Sequence, residues 1–288
     1  MGNGLMRVRY FDPRSVIWRV DQEMVLLLGG GRALLMQLAH PKVAAGVADH
    51  SRFRRDPMGR LYQTMNTMWS IVFDEIAEAD ASLERVQQIH RRVRGTVEGN
   101  VVLPKGTRYD ARDPELLAWV HATLVDSAVV TYEHFVGPLS VREKRLYYDG
   151  AKRLAFLFGV PEAEIPGSLD DFNEYMTAML HGDTISVDST ARALAGEILS
   201  PRPWILKGVS PVSRFITIGL LPPGLRDAYG LVWNHRKERA LGLLAGGIRR
   251  LLPLIPRALR IVPHARAAEL TSMRDLSRCR VRVERSQG

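Results

Sequence analysis

One cysteine, Cys279, stands in a chain of 288 residues. A single thiol excludes an intrachain disulfide, a cysteine-rich zinc site and a cysteine-held iron–sulfur cluster. Metal chemistry here must rest on nitrogen and oxygen donors, and eight histidines are available. Long apolar runs are missing too. The most apolar stretches, 25–28 and 251–261, fall far short of the ~20 residues of a spanning helix or are cut by proline and arginine. No cationic, then apolar, then small-residue leader precedes Asp12, so a soluble, cytoplasmic protein is expected. Strand-like alternation is scarce, and there is no repeat or low-complexity tract. The chain also lacks a Gly-x-Ser-x-Gly elbow, a Walker A loop and a His-Glu-x-x-His pair. No glutamate stands three residues before any histidine, which removes the Glu-x-x-His pairs of carboxylate-bridged di-iron bundles.

What is present is helical periodicity. Apolar residues make up 46% and charged residues 25%, a globular balance on a chain long enough for a closed core. Helices are expected over 16–28 and 32–39, separated by a hinge at Gly29-Gly30-Gly31, and over 41–49 behind Pro41. Asp56 reads as the N-cap of a helix carrying Leu61, Thr64, Met65, Met68 and Ile71. A helix over 80–95 follows, then a loop over 99–109 with a brief extended segment. Asp113-Pro114 opens a long helix to about Phe135. Ser140 with Glu143 forms a capping box for the next, and 170–180 and 189–199 are amphipathic. Beyond Pro201, recurrent prolines keep helices short. The reading is one all-α domain: a core over 12–200, a proline-punctuated wrapping segment over 201–270 and a tail over 271–288.

Charge is unevenly placed. Residues 201–288 carry a balance of +12, and 1–200 a balance of −3. The basic part is rich in Leu, Ile and Pro, a mixture that suits an anionic membrane surface or an apolar substrate presented there. None of the usual nucleic-acid-binding modules is present, and no nucleic-acid partner is expected.

Histidines on apolar helix faces remain as candidate metal ligands. His90 lies beside the stripe Leu83, Val86 and Val93, with Arg94 one turn beyond it on the expected helix. His121 lies in the strongly apolar run Trp119-Val120-His121-Ala122-Thr123. An imidazole projecting into an apolar slot is how many haem proteins hold iron, and a nearby arginine can neutralise a propionate. Periodicity does not choose between the two.

Several further motifs follow one another in a definite order. Leu35-Met36-Gln37-Leu38-Ala39-His40-Pro41, His50-Ser51, Asp56-Pro57 with Arg60-Leu61-Tyr62-Gln63-Thr64, His90 to Gly95, Tyr109-Asp110-Ala111, Asp113-Pro114, Trp119 to Thr123, Gly137-Pro138-Leu139-Ser140 and Leu220-Leu221-Pro222 run in sequence over about 12–270. Together they resemble the MpaB/rubber-oxygenase catalytic domain, also grouped as DUF2236 and including the latex-clearing proteins. The resemblance implies an all-α fold with a globin-like core. It also implies haem b held by one histidine, and dioxygen used against an apolar, isoprenoid- or lipid-like substrate by oxidative C=C cleavage. Position by position, the iron ligand falls on His90 and its supporting arginine on Arg94, with the following-helix threonine at Thr123. The distal group falls on Arg60, Gln63 and Thr64. This sequence departs from the pattern at Gln63, where the family has lysine, and at Gln87, where it has arginine. Ala44 lies where a general-base carboxylate is expected. A neutral Gln63 can still donate a hydrogen bond to bound oxygen.

Overall fold

Helix starts in this chain are set locally, by side chains that satisfy the first free backbone N–H groups. Asp113 accepts from the Glu115 amide and Pro114 occupies the first helical position of α6, Pro114–Phe135. Ser140 and Glu143 close a reciprocal capping box at the start of α7, Val141–Leu157. Ser168 and Asp171 do the same for α8, Leu169–His181, and Asp188 caps α9, Ser189–Leu199. The computed structural model of the chain describes residues 8–50, 57–99, 102–200 and 210–271. Asp56, the expected cap of α4 (Pro57–Phe73), lies outside them, as do Cys279 and the tail from 272 on.

The architecture is all-α. Before α4 come α1, Val16–Asp21, a 3-10 turn over Met24–Gly29, α2, Gly30–Leu38, and α3, Pro41–His50. After it come α5, Ile76–His90, and a hairpin of β1, Arg94–Thr96, and β2, Arg108–Asp110, antiparallel with Gly95 opposite Tyr109. The chain continues past α9 with α10, Ser210–Leu220, α11, Pro223–Ala228, α12, His235–Leu251, and α13, Arg257–Arg260. Central to the packing is α6, which lies against α2, α7, α12 and the 3-10 turn. Its Trp119, Thr123, Thr131 and Phe135 are fully buried.

Three sequence expectations are corrected. The helix expected over 16–28 breaks after Asp21, because Glu23 turns extended and bridges Ile261 while its carboxylate takes Arg260 at 2.7 Å. The Val262 amide also donates to the Gln22 carbonyl at 2.8 Å, so the C-terminal segment imposes the break. Gly29-Gly30-Gly31 is not a hinge. All three sit in helical structure, and a Cβ on Gly29 would meet Thr131 Oγ1 at 2.1 Å, one on Gly31 Thr217 Oγ1 at 2.2 Å. These glycines let α2 approach α6 and α10 closely. Finally, the helix expected over 80–95 starts earlier and ends at His90, so Arg94 belongs to β1 and is exposed.

Arg32, next to the glycines, is buried and spent entirely on helix joints. Its guanidinium donates to the Leu220 carbonyl at 2.8 Å, to Ser127 Oγ at 2.7 Å and to Asp126 at 2.6 Å. A second joint ties α4 to the C-terminal segment through His264, whose Nδ1 lies 2.8 Å from Asp74 and Nε2 3.1 Å from Asn66. On the outer face of α12, the turn beyond it and α13, Leu243, Leu251, Leu254 and Leu259 are 61–79% exposed. Arg236, Arg239 and Arg250 stand exposed on that helix with no partner among the described residues.

Candidate active site

Helices α1, α2, α4, α6 and α7 line a partly open cavity of about 80 Å³. Its walls are apolar, among them Ile17, Leu26, Ala33, Met65, Met68, Val72 and Leu124. Into it come three groups of a different kind: Asp21 from the end of α1, Tyr147 from α7 and His121 from α6. The Tyr147 hydroxyl donates to Asp21 Oδ1 at 3.0 Å. His121 Nε2 is buried and has no hydrogen-bond partner among the described residues.

Burial governs the protonation of all three. Asp21 is pushed up to about 7 by burial, against a smaller downward pull from the Tyr147 hydroxyl, and no cation pairs with it among the described residues. His121 is pushed down to about 4 by burial, against an upward pull from the Ala151 backbone. Burial first, then the Asp21 charge, raises Tyr147 well above the ordinary tyrosine range. Between about pH 4 and 7 the cavity therefore holds a neutral imidazole, a protonated carboxyl and a phenol. Such a set can donate, accept and relay a proton without carrying a buried charge.

The residues proposed from sequence lie elsewhere. The side chain of Arg60 is outside the described residues, and Gln63 and Thr64 are exposed on α4 one turn before Met68 enters the cavity wall. Thr123 faces the other way from His121, taking a hydrogen bond from Gln37 Nε2 at 3.1 Å and donating its own to the Val120 carbonyl at 2.7 Å. His90 is half-buried on the last turn of α5. Helices α4 and α5 form an antiparallel pair in which Ser82 Oγ donates to Ser70 Oγ at 3.0 Å. Carried along both helices, that register sets His90 level with the turn of α4 that holds Arg60 and Gln63. Tyr62 and Ile89, both large and apolar, are 64% and 57% exposed at this end. Of the other early histidines, His40 accepts the Lys42 amide at 3.2 Å in the first turn of α3, and His50 contacts the Arg94 carbonyl at 3.1 Å.

A haem iron takes a neutral imidazole, and His121 offers one. The surrounding space does not match: about 80 Å³ is well below the ~300–1,000 Å³ of ordinary small-molecule pockets, and a porphyrin does not fit there. Among the described residues no three His, Cys, Asp or Glu side chains gather as ligands for a bare ion.

Residues 18–250 match the family described as ER-bound oxygenase mpaB/B'/Rubber oxygenase, catalytic domain. The chain belongs to this family. An uncharacterized protein of Mycobacterium tuberculosis and one of Mycobacterium bovis are each 32% identical to it over 232 residues, covering 77% of this chain and 87% of the relative. No solved structure matches. Membership of the MpaB/rubber-oxygenase family supports an oxygenase-type activity, with a small-molecule substrate and oxygen, and the all-α fold agrees with the resemblance. Asp21 and Tyr147 had no sequence signal: neither lies in a motif, and 126 positions separate them.

Proposed function

We propose that this protein is a haem-dependent oxygenase acting on an apolar small molecule, isoprenoid- or lipid-like, with dioxygen as co-substrate. His90 would hold the haem iron, with Arg94 and Thr123 as supporting residues, and Arg60, Gln63 and Thr64 would meet dioxygen. The observation that carries the reading is the end of the α4–α5 pair. There His90 stands level with Arg60 and Gln63, and exposed Tyr62 and Ile89 offer an apolar bed. One imidazole suffices there, because a porphyrin brings its own four nitrogens. Haem b would supply the iron chemistry that activates dioxygen. The chain's own part is to orient the ligand and donate a hydrogen bond from Gln63 towards oxygen.

An ultraviolet–visible spectrum of protein expressed with haem precursor tests this, beside His90→Ala and His121→Ala. The wild type is expected to show a Soret band that only His90→Ala abolishes or strongly shifts. A band lost only in His121→Ala moves the ligand to α6. A colourless wild type that does not take up haemin ends the haem reading. Oxygen uptake with olefinic lipids then reads turnover; a haem protein without uptake is a carrier or sensor.

Substrate delivery from a membrane surface belongs to the same proposal. Among the described residues no helix is long and apolar enough to cross a membrane. The outer face of α12 and the turn beyond it instead combine Arg236, Arg239 and Arg250 with Leu243, Leu251 and Leu254, the pattern of a helix lying in the headgroup layer. The protein is expected to co-sediment with phosphatidylserine-containing vesicles, and Leu243→Glu with Leu254→Glu to lose most of that binding. Equal sedimentation with purely zwitterionic vesicles would refute the electrostatic part.

A further inference from the structure

From the cavity between α1, α6 and α7 we infer a binding site for a slender apolar molecule carrying a single hydroxyl group. Naming that molecule as the substrate rests on the oxygenase reading; its binding does not.

The walls favour an apolar body. Ile17, Leu26, Met65, Met68 and Val72 offer it nothing but dispersion and exclusion from water, and the two methionines can re-pack around its shape. What a pure hydrocarbon cannot do is complete the polar end. Tyr147 is already bonded to Asp21, but His121 Nε2 is left without a partner in a buried position. Buried polar groups are nearly always paired, and an orphan beside empty space points to a group that arrives from outside. A hydroxyl is the small neutral group that both donates and accepts, so it satisfies Nε2 in either imidazole tautomer. Its second bonding direction can then meet the Asp21–Tyr147 pair. A carboxylate would have to shed its hydration beside a neutral imidazole that carries no charge to offset its own. An ammonium would have to shed its hydration in apolar surroundings against a carboxyl that burial keeps from ionising.

The competing ligands are 2-hexen-1-ol, 2-hexene and 2-hexen-1-amine, their affinities for the whole chain measured by ligand-observed NMR. The alcohol is expected to bind at least tenfold more tightly than the hydrocarbon, about 1.4 kcal/mol. His121→Leu should erase that preference while still binding 2-hexene, and His121→Gln, which keeps a hydrogen-bonding group, should retain part of it. The retained hydrocarbon binding shows that the leucine variant is folded. Equal binding of alcohol and hydrocarbon, tightest binding of the amine, or a preference that survives His121→Leu would each overturn the assignment. Absence of binding by all three overturns it too, and leaves the Soret measurement on His90→Ala to decide the oxygenase reading separately.

Discussion

Arg32→Met is expected to destabilise the fold by about 3 kcal/mol, the low end of what breaking a buried ion pair costs. Methionine fills similar space, so the loss isolates the polar connections. Arg32 joins three elements at once: α2, on which it sits, α6 through Asp126 and Ser127, and the end of α10 through the Leu220 carbonyl. Removing the guanidinium strands a carboxylate only 26% exposed, a buried hydroxyl and a carbonyl. Arg32→Lys should recover part of the loss, because an ammonium restores charge but not the planar fork that reaches three acceptors. Urea denaturation checks this: the midpoint should fall with little change in slope. A loss below about 1 kcal/mol would mean that water replaces these bonds and that the joint is not a stabilising one. The glycines beside Arg32 make the same joint sterically possible, since α2 meets Thr131 and Thr217 with no room for a side chain.

Asp21→Asn is expected to stabilise the protein, and to do so increasingly as pH rises. The ordinary carboxyl value is 3.8, and burial lifts Asp21 to about 7 in the native state. Below the lower value both states hold the proton and the group is neutral to stability. As pH climbs, the unfolded chain releases its proton first, so stability is lost progressively up to about pH 7. At about 1.4 kcal/mol per unit the full loss reaches about 4 kcal/mol, a ceiling. Asparagine keeps an acceptor for the Tyr147 hydroxyl and has no proton to lose. The gain should therefore be larger at pH 8 than at pH 5 by about 2 kcal/mol in urea midpoint experiments. An identical gain at both values would show that Asp21 ionises normally, against its burial. His121 works in the opposite sense. Lowered to about 4, it contributes stability above its unfolded value that is lost as pH falls. Both groups are uncharged between about pH 4 and 7, the window in which the cavity is best suited to a neutral ligand.

Ser140 with Glu143 and Asp113 with Pro114 announced their helices because a cap is a contact between positions two or three apart, complete within its own segment. The all-α class followed from the 3.6-residue spacing of apolar side chains, and the family from the order of short motifs. Spacing alone could not separate His90 from His121, since both lie on apolar faces of helices. The tertiary structure gives the two different surroundings: His121 lines a cavity too small for a macrocycle, while His90 sits on the last turn of α5.

Contacts between distant residues account for the rest. Glu23 breaks its helix because Arg260, 237 positions later, takes its carboxylate. Three consecutive glycines read as a hinge until Thr131 and Thr217 are seen to need the space. Asp21 is an unremarked helix-end aspartate until Tyr147 meets it in an apolar cavity. Capped helix starts, inward-turning faces and family membership could be read from the sequence, because they are encoded in local spacing and order. Which polar groups share a water-poor space depends on contacts between distant segments, and burial there, not residue identity, moves their proton affinities towards neutrality.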